Sequence, residues 1–475
     1  MRHPSHSFYG QPAAAWSPLQ DSAHPMRQPA LSVRLVRGLA ITLSALGLAL
    51  MLISLQPFAI ESMVNEAVAT EGSLVNQVGF LAAGLVFALA MLSMVSRRVL
   101  ASLLSPSLLL LCVVLGYNVA TAPDSDTTLR AVVFTVIGMF IAFSTIVLPR
   151  GEKDFQIALM LGATAALAMS YGGLVLAPGL ATHGYDVYEP QHAGLWRGHF
   201  SHKNVAGPVM CIIAIFGVYL MRSGHRLAGL IIFVAATVFV LQTGSKTTSG
   251  FFPLSILIVF MASLFGRSSA AILVHLAALA AVGLLTLGSL YSQELSSLAA
   301  ALLTDETYTG RTTLWAFGLS KIPEQPWLGY GLYNFWGTDT VFLLDKPFES
   351  AWDYRFIVHG HNNYVDILLN LGVIGGSVVI WFLFIGPMFN YAKARRIPGN
   401  ARLADMFFMI IVFASLLSFL ETFFLARNSA LWLMHVLAVF GLQLLARFSM
   451  GNPFAGRTAP SARQDWAAVS ARRAA

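Results

Sequence analysis

The feature that most constrains this chain is its division into apolar blocks near 20 residues long, separated by short stretches that hold nearly all of its charges. Crossing a hydrocarbon core of about 30 Å takes about 20 apolar residues of helix, and no water is present there to satisfy a broken backbone. Each block therefore reads as a membrane-spanning helix. Composition agrees: 56% of the residues are hydrophobic and 11% charged, whereas a soluble domain carries about 25% charged residues. A water-soluble fold is excluded.

The blocks predict helices over 36–57, 77–95, 99–118, 129–149, 155–178, 204–222, 226–243, 248–266, 270–290, 363–388, 404–424 and 428–447. That makes twelve helices and an all-α polytopic membrane protein, with Pro106 and Pro253 tolerated inside membrane helices. The spanning domain covers 34–450. Residues 1–33 and 451–475, polar and rich in Pro, Ser, Ala and Arg, read as disordered cytoplasmic tails, and the first of them lacks the apolar core of a signal peptide. Cys112 and Cys211 fall inside apolar blocks and are too few for a disulfide scaffold or a thiolate metal site.

Basic residues orient the helices. Arg34, Arg37, Arg97, Arg98, Arg150, Lys153, Arg222, Arg226, Arg267, Lys393, Arg395, Arg396, Arg402 and Arg447 occupy alternate loops, and with the tails these hold 20 of the 29 basic residues. That set is read as cytoplasmic, with both termini inside and the loops around Glu61, Glu66, Glu71, Asp124 and Asp126 outside. The net charge of +7 then reflects orientation in a membrane rather than binding of nucleic acid. Arg197, Lys203, Lys246, Arg311 and Arg427 break the rule by lying outside. Such cations either snorkel to lipid headgroups or have a functional role.

Two outer loops are long, 179–203 and 291–362. The second is too long for a plain connection, and Thr312–Ser320 predicts a surface helix within it. The first ends in Arg197-Gly198-His199-Phe200-Ser201-His202-Lys203-Asn204 at a helix start. Cations, imidazoles and free N–H groups converge there, which suits a phosphate; the plain alternative is a basic helix cap. Gly244-Ser245-Lys246-Thr247 lacks the first glycine and the strand of a P-loop, so a nucleotide site is rejected. His359-Gly360-His361-Asn362 ends the second loop. Two histidines without a third ligand make a poor zinc site but a good proton acceptor, with Asn362 or the helix end holding the ring. Asp124-Ser125-Asp126 has a carboxylate spacing that could hold a metal, against the ordinary reading of a helix cap. Glu421, placed in the outer half of the eleventh helix, needs a partner, for which Arg427 is nearest, or a sugar to bind.

Taken in order, 196–207, Gly310-Arg311-Thr312 with Trp315, Pro326-Trp327-Leu328-Gly329-Tyr330-Gly331 and His359-Gly360-His361-Asn362 resemble the O-antigen ligase and Wzy-type polymerase superfamily over roughly residues 190–435. The His202-Lys203-Asn204 version of the first motif and the run 418–432 are similar to the succinoglycan-type exopolysaccharide polymerases. The resemblance implies a GT-C-like glycosyltransferase that polymerises repeat units from an undecaprenyl-diphosphate-linked donor on the periplasmic face, inverting configuration without metal or other cofactor. It implies His361 as the base and Arg197, Arg311, Lys203, Lys246 and Arg427 as the diphosphate cradle, with His202, Asn204, His359, Asn362 and Glu421 in support. Arginine suits the cradle because it offers paired donors and stays charged. The expected partners are the lipid-linked donor, a carrier-linked repeat unit or lipid A core as acceptor, membrane lipids, and a chain-length regulator and flippase; nucleic acid is not among them. A ligase acting on lipid A core is the nearest rival. A secondary transporter fits less well, since its ionisable groups would lie near the midplane, and a metal-dependent transferase using Asp124 and Asp126 stands third.

Overall fold

A computed structural model describes residues 30–59, 73–185, 190–303, 305–345, 352–427 and 429–450. The acidic loop at Glu61, Glu66 and Glu71, residues 1–29 of the expected N-terminal tail and the whole of 451–475 lie outside the described residues. The chain is an all-α polytopic membrane protein, and no strand occurs among the described residues. Before the long loop stand α1 (Ala30–Ile53), α2 (Leu74–Met94), α3 (Arg97–Leu103) with α4 (Pro106–Thr121), α5 (Ser125–Val147), α6 (Glu152–Leu176), α7 (Lys203–Arg222), α8 (Arg226–Gln242), α9 (Lys246–Leu264) and α10 (Ser268–Thr286). The loop itself adds α11 (Gln293–Leu302) and α12 (Arg311–Lys321). After it come α13 (Asn363–Ile380), continued by a π turn at Trp381–Ile385 into α14 (Gly386–Ala394), then α15 (Ala401–Leu417) and α16 (Ala430–Leu445). Among the described residues, eight helices are long and apolar enough on their own to cross a membrane, and α4, α8 and α16 are shorter apolar helices.

Local chemistry sets the helix ends. Ser105 accepts from the Leu108 amide and Pro106 fills the first helical position, so the block at 99–118 is two helices instead of one bent helix. Pro208 and Pro253 remain inside α7 and α9. At the centre lie α7, α15 and α16, buried along almost their whole lengths. On the periphery α2 shows Leu81, Leu85, Leu89 and Leu92, and α10 shows Leu273 and Leu284, as lipid-facing surface requires. The π turn frees a carbonyl, and His435 of α16 donates to one there, Leu383 O, at 3.2 Å.

Hydrogen bonds sort the helix ends into two groups. At one end buried Asp405 binds Arg222 (2.9 Å), Arg395 (3.2 Å) and the Tyr391 hydroxyl (3.0 Å). Arg37 reaches Asp154 (2.6 Å), Arg447 reaches Ser102 O, and Asn400 reaches Leu445 O and Phe448 O at that same end. At the other end Arg197 meets Ala59 O, Asn334 meets the Asp124 amide, and Asn362 meets Phe419 O. The division follows the loop sets separated by charge.

One break matters for the site. Inside α13, Gly372 leaves helical geometry (φ 61°, ψ −169°). The freed groups are taken up by Pro326–Gly331: Tyr330 N donates to Leu369 O (2.7 Å), Gly331 N to Asn370 O (3.0 Å), and Val373 N to Pro326 O (2.8 Å). Gly329 and Gly372 allow the close approach, since a Cβ on Gly372 would lie 2.3 Å from the Trp327 carbonyl carbon.

Candidate active site

The long loop folds over the start of α13. Leu314, Phe335, Trp336, Val341 and Tyr354 pack with Val365 and Leu369 of α13 as a separate apolar core, and Phe317 stacks on Tyr354 at 4.1 Å. The expected helix at 312–320 is present as α12, with Leu314, Trp315 and Gly318 buried against this core. Trp315 Nε1 donates to Gly360 O (3.1 Å), which fixes the chain between the two histidines. Asn362 caps α13 by accepting from the amides of Tyr364 (3.0 Å) and Val365 (3.2 Å).

These supports bring together Arg311, His361 and Glu421. Arg311 opens α12 and donates Nη2 to Glu421 Oε1 (3.1 Å) and Nη1 to Leu420 O. His361 Nδ1 lies 3.4 Å from Glu421 Oε2. A carboxylate can only accept, so the neutral imidazole keeps its proton on Nδ1 and its lone pair on Nε2. His361 has φ 51°, a left-handed conformation rare for a side-chain-bearing residue. His359 packs edge-on to it at 4.3 Å and Trp352 at 5.5 Å, the latter tied to Thr309 O (2.9 Å). Burial raises the Glu421 carboxyl, but the charge of Arg311 and the contact with His361 outweigh that and bring it down to about 2. Burial, with His361 adding to it, lowers His359 to about 3.

Two expectations for Glu421 are corrected here. It is not in a helix: α15 ends at Leu417, and 418–427 is irregular because Asn363 Oδ1 takes the Phe423 (2.9 Å) and Phe424 (2.8 Å) amides. Its partner is Arg311, not Arg427. The Arg427 guanidinium lies 4.8 Å over the Tyr333 ring.

The first loop adds a second wall. His202 caps α7, its Nδ1 accepting from the Asn204 amide (3.1 Å), and His183 Nε2 accepts from the Lys203 amide (3.0 Å). The rings of His183 and His202 are 4.6 Å apart, and His192 lies 5.5 Å from His202. Burial, followed by the neighbouring imidazoles, lowers His202 to about 3, while the Glu421 carboxylate pulls the opposite way. Lys203 is buried at the start of α7. Arg197 is buried with its guanidinium on backbone oxygens of Thr182 (3.4 Å), Ala59 (3.3 Å), Phe200 (3.2 Å) and Ser201 (3.0 Å). His199 bridges Ser170 Oγ (2.7 Å) and Leu52 O (3.1 Å) in the interior. Lys246 opens α9 with its side chain exposed. Asp124 caps α5 through the Thr127 amide (3.0 Å), and hydrogen bonding from the Thr127 side chain, then from its amide, lowers the Asp124 carboxyl.

Sequence reasoning missed Asp366, Thr422, Trp336, Trp352, His183 and His192. Asp366 did leave a signal, as a carboxylate inside an apolar block.

The fold and the site define a multi-pass membrane protein that carries a histidine, a glutamate and an arginine in contact at one end of its helices. Residues 231–380 match the family model Wzy_C, described as O-antigen ligase, a span that includes Arg311 and His361. Over that span, less than half of its length, the chain is similar to the O-antigen ligase family. No curated protein matches it.

Proposed function

We propose that this protein polymerises undecaprenyl-diphosphate-linked oligosaccharide repeat units, by inverting and metal-independent glycosyl transfer on the periplasmic face of a bacterial inner membrane, with both termini cytoplasmic. The observation that carries the reading is the Arg311–Glu421–His361 contact. The acceptor hydroxyl oxygen attacks the anomeric carbon opposite the leaving diphosphate. Its proton passes to His361 Nε2, while the bond from the anomeric carbon to the diphosphate oxygen breaks. Glu421 holds the tautomer and stabilises the imidazolium as it forms. Negative charge grows on the departing diphosphate, and fixed cations in a poorly solvated site lower that barrier.

Arg311, paired with Glu421, is the cation in contact with this chemistry, with Lys203, Lys246 and Arg427 further members of the cradle. Arg197, committed to four carbonyls, serves as the brace of the first loop. The test is an in vitro reaction of purified protein with carrier-linked repeat units. A ladder of products supports polymerisation, and its absence with active donor rejects it. The description of the matched family favours one other reading, transfer of a finished glycan to lipid A core. Supplying both acceptors in one assay decides between them by which product carries the label.

A further inference from the structure

Asp366 stands in the first turn of α13 and is 4% exposed. Its carboxylate accepts from Trp336 Nε1 (2.7 Å), from the Gly360 amide (3.1 and 3.0 Å to the two oxygens) and from Thr422 Oγ1 (2.5 Å). All are donors, the set an acceptor-only carboxylate satisfies. Three chain segments thus end on one side chain: the core of the long loop through Trp336, the link between His359 and His361 through Gly360, and the irregular segment 418–427 through Thr422.

Position gives these bonds their meaning. Gly360 is joined to His361 and Thr422 to Glu421, so Asp366 ties the backbone beside the imidazole to the backbone beside its carboxylate partner. The room behind the histidines is already filled: a Cβ on Gly360 would lie 2.5 Å from Asp366 Oδ1. A buried carboxylate is costly in a membrane helix, and plain packing would be served as well by an apolar residue.

We infer that Asp366 is a positioning residue: it sets the contact between His361 and Glu421, and through it the tautomer that leaves the His361 lone pair on Nε2. The inference rests on the proposed role of His361 as base, but its structural half does not need that reaction.

Two variants test it in the full-length protein in detergent. Asp366→Asn keeps the shape and replaces one acceptor by an NH₂ group among existing donors. Thr422→Val removes the hydroxyl alone, and Thr422→Ser restores it. Nitrogen NMR of histidine-labelled protein reads the His361 tautomer and titration directly. The expected result is the Nδ1–H form in wild type, a mixture with a displaced titration in Asp366→Asn, a smaller change of the same kind in Thr422→Val, and recovery in Thr422→Ser. With carrier-linked repeat units, kcat falls about 10- to 100-fold in Asp366→Asn, the scale of a misplaced catalytic group, while KM stays within about two-fold. A wild-type tautomer and titration in both Asp366→Asn and Thr422→Val overturns the inference. A raised KM with unchanged kcat also overturns it, because Asp366 then acts in binding. If Asp366→Asn does not fold, the Thr422 pair decides. Absence of product from wild-type protein would reject the polymerase reading, and the NMR result would still judge Asp366 by itself.

Discussion

His361 holds a backbone conformation that a side chain disfavours, at φ 51°, a cost of about 1–3 kcal/mol that persists only where the surroundings impose it. Glycine at 361 would relieve the strain and remove the chemistry. His361→Gly and His361→Ala should therefore both lose turnover by roughly 10²-fold or more, the worth of a general base, with donor binding retained. His361→Gly should melt at the higher temperature of the two. Full turnover in either variant would reject His361 as the base. Acid should act on the same site in two windows. His183, His202 and His359, lowered to about 4, 3 and 3 from 6.5, stay neutral in the folded protein while the unfolded chain takes up protons, so their contribution falls away as pH drops below 6.5. Glu421, lowered to about 2 from 4.5, stabilises fully above 4.5 and loses that contribution as pH falls toward 2. Melting temperatures in detergent should already drop between pH 7.5 and 5.5. Glu421→Gln should lower stability at neutral pH and flatten only the part below 4.5. An unchanged wild-type melting temperature from pH 7.5 to 4 would contradict the histidine window.

At the scale of elements, the break in α13 makes the sharpest demand. A methyl on Gly372 meets the backbone of Trp327 at 2.3 Å in a left-handed conformation, whereas one on Gly250 of α9 meets nothing within 4 Å. Gly372→Ala should lower the melting temperature and the yield of folded protein, and Gly250→Ala should leave both unchanged. Equal behaviour would mean that Pro326–Gly331 does not seat in the break. The sequence made the helices legible because a lipid environment demands apolar runs of fixed length, and such runs can be read locally. It did not reveal the break, since the proline of 363–388, Pro387, stands far past Gly372 and the groups that satisfy Gly372 come from a distant loop. The end of α15 at Leu417 escaped for the same reason, as apolar residues continue past it while Asn363 draws the chain out of the helix. In the site, His361 and Arg311 could be found from motif order and loop charge. The partner of Glu421 could not: Arg427 is near in sequence, but the contact made spans 110 residues to Arg311.

The whole molecule poses the question of which way the site faces. One end carries ion pairs on buried carboxylates, with Asp405 between Arg222 and Arg395 and Asp154 on Arg37, and it belongs to the loops that hold most of the basic residues. The other end holds Arg311, His361 and Glu421. Positive loops resist translocation, so the first end should face the cytoplasm and the site the periplasm. Lys246 and Lys393 are exposed at opposite ends, and Cys211 is fully buried. In a Cys112→Ser background, a membrane-impermeant maleimide should label Lys246→Cys in cells whose outer membrane alone is opened. Lys393→Cys should label only after the inner membrane is breached. The reverse pattern would turn the site toward the cytoplasm, where nucleotide-activated sugars are at hand and a lipid-diphosphate donor loses its rationale. Orientation therefore bears directly on the donor: a periplasmic site has no nucleotide sugar to draw on, so its glycan must arrive already activated on a membrane carrier.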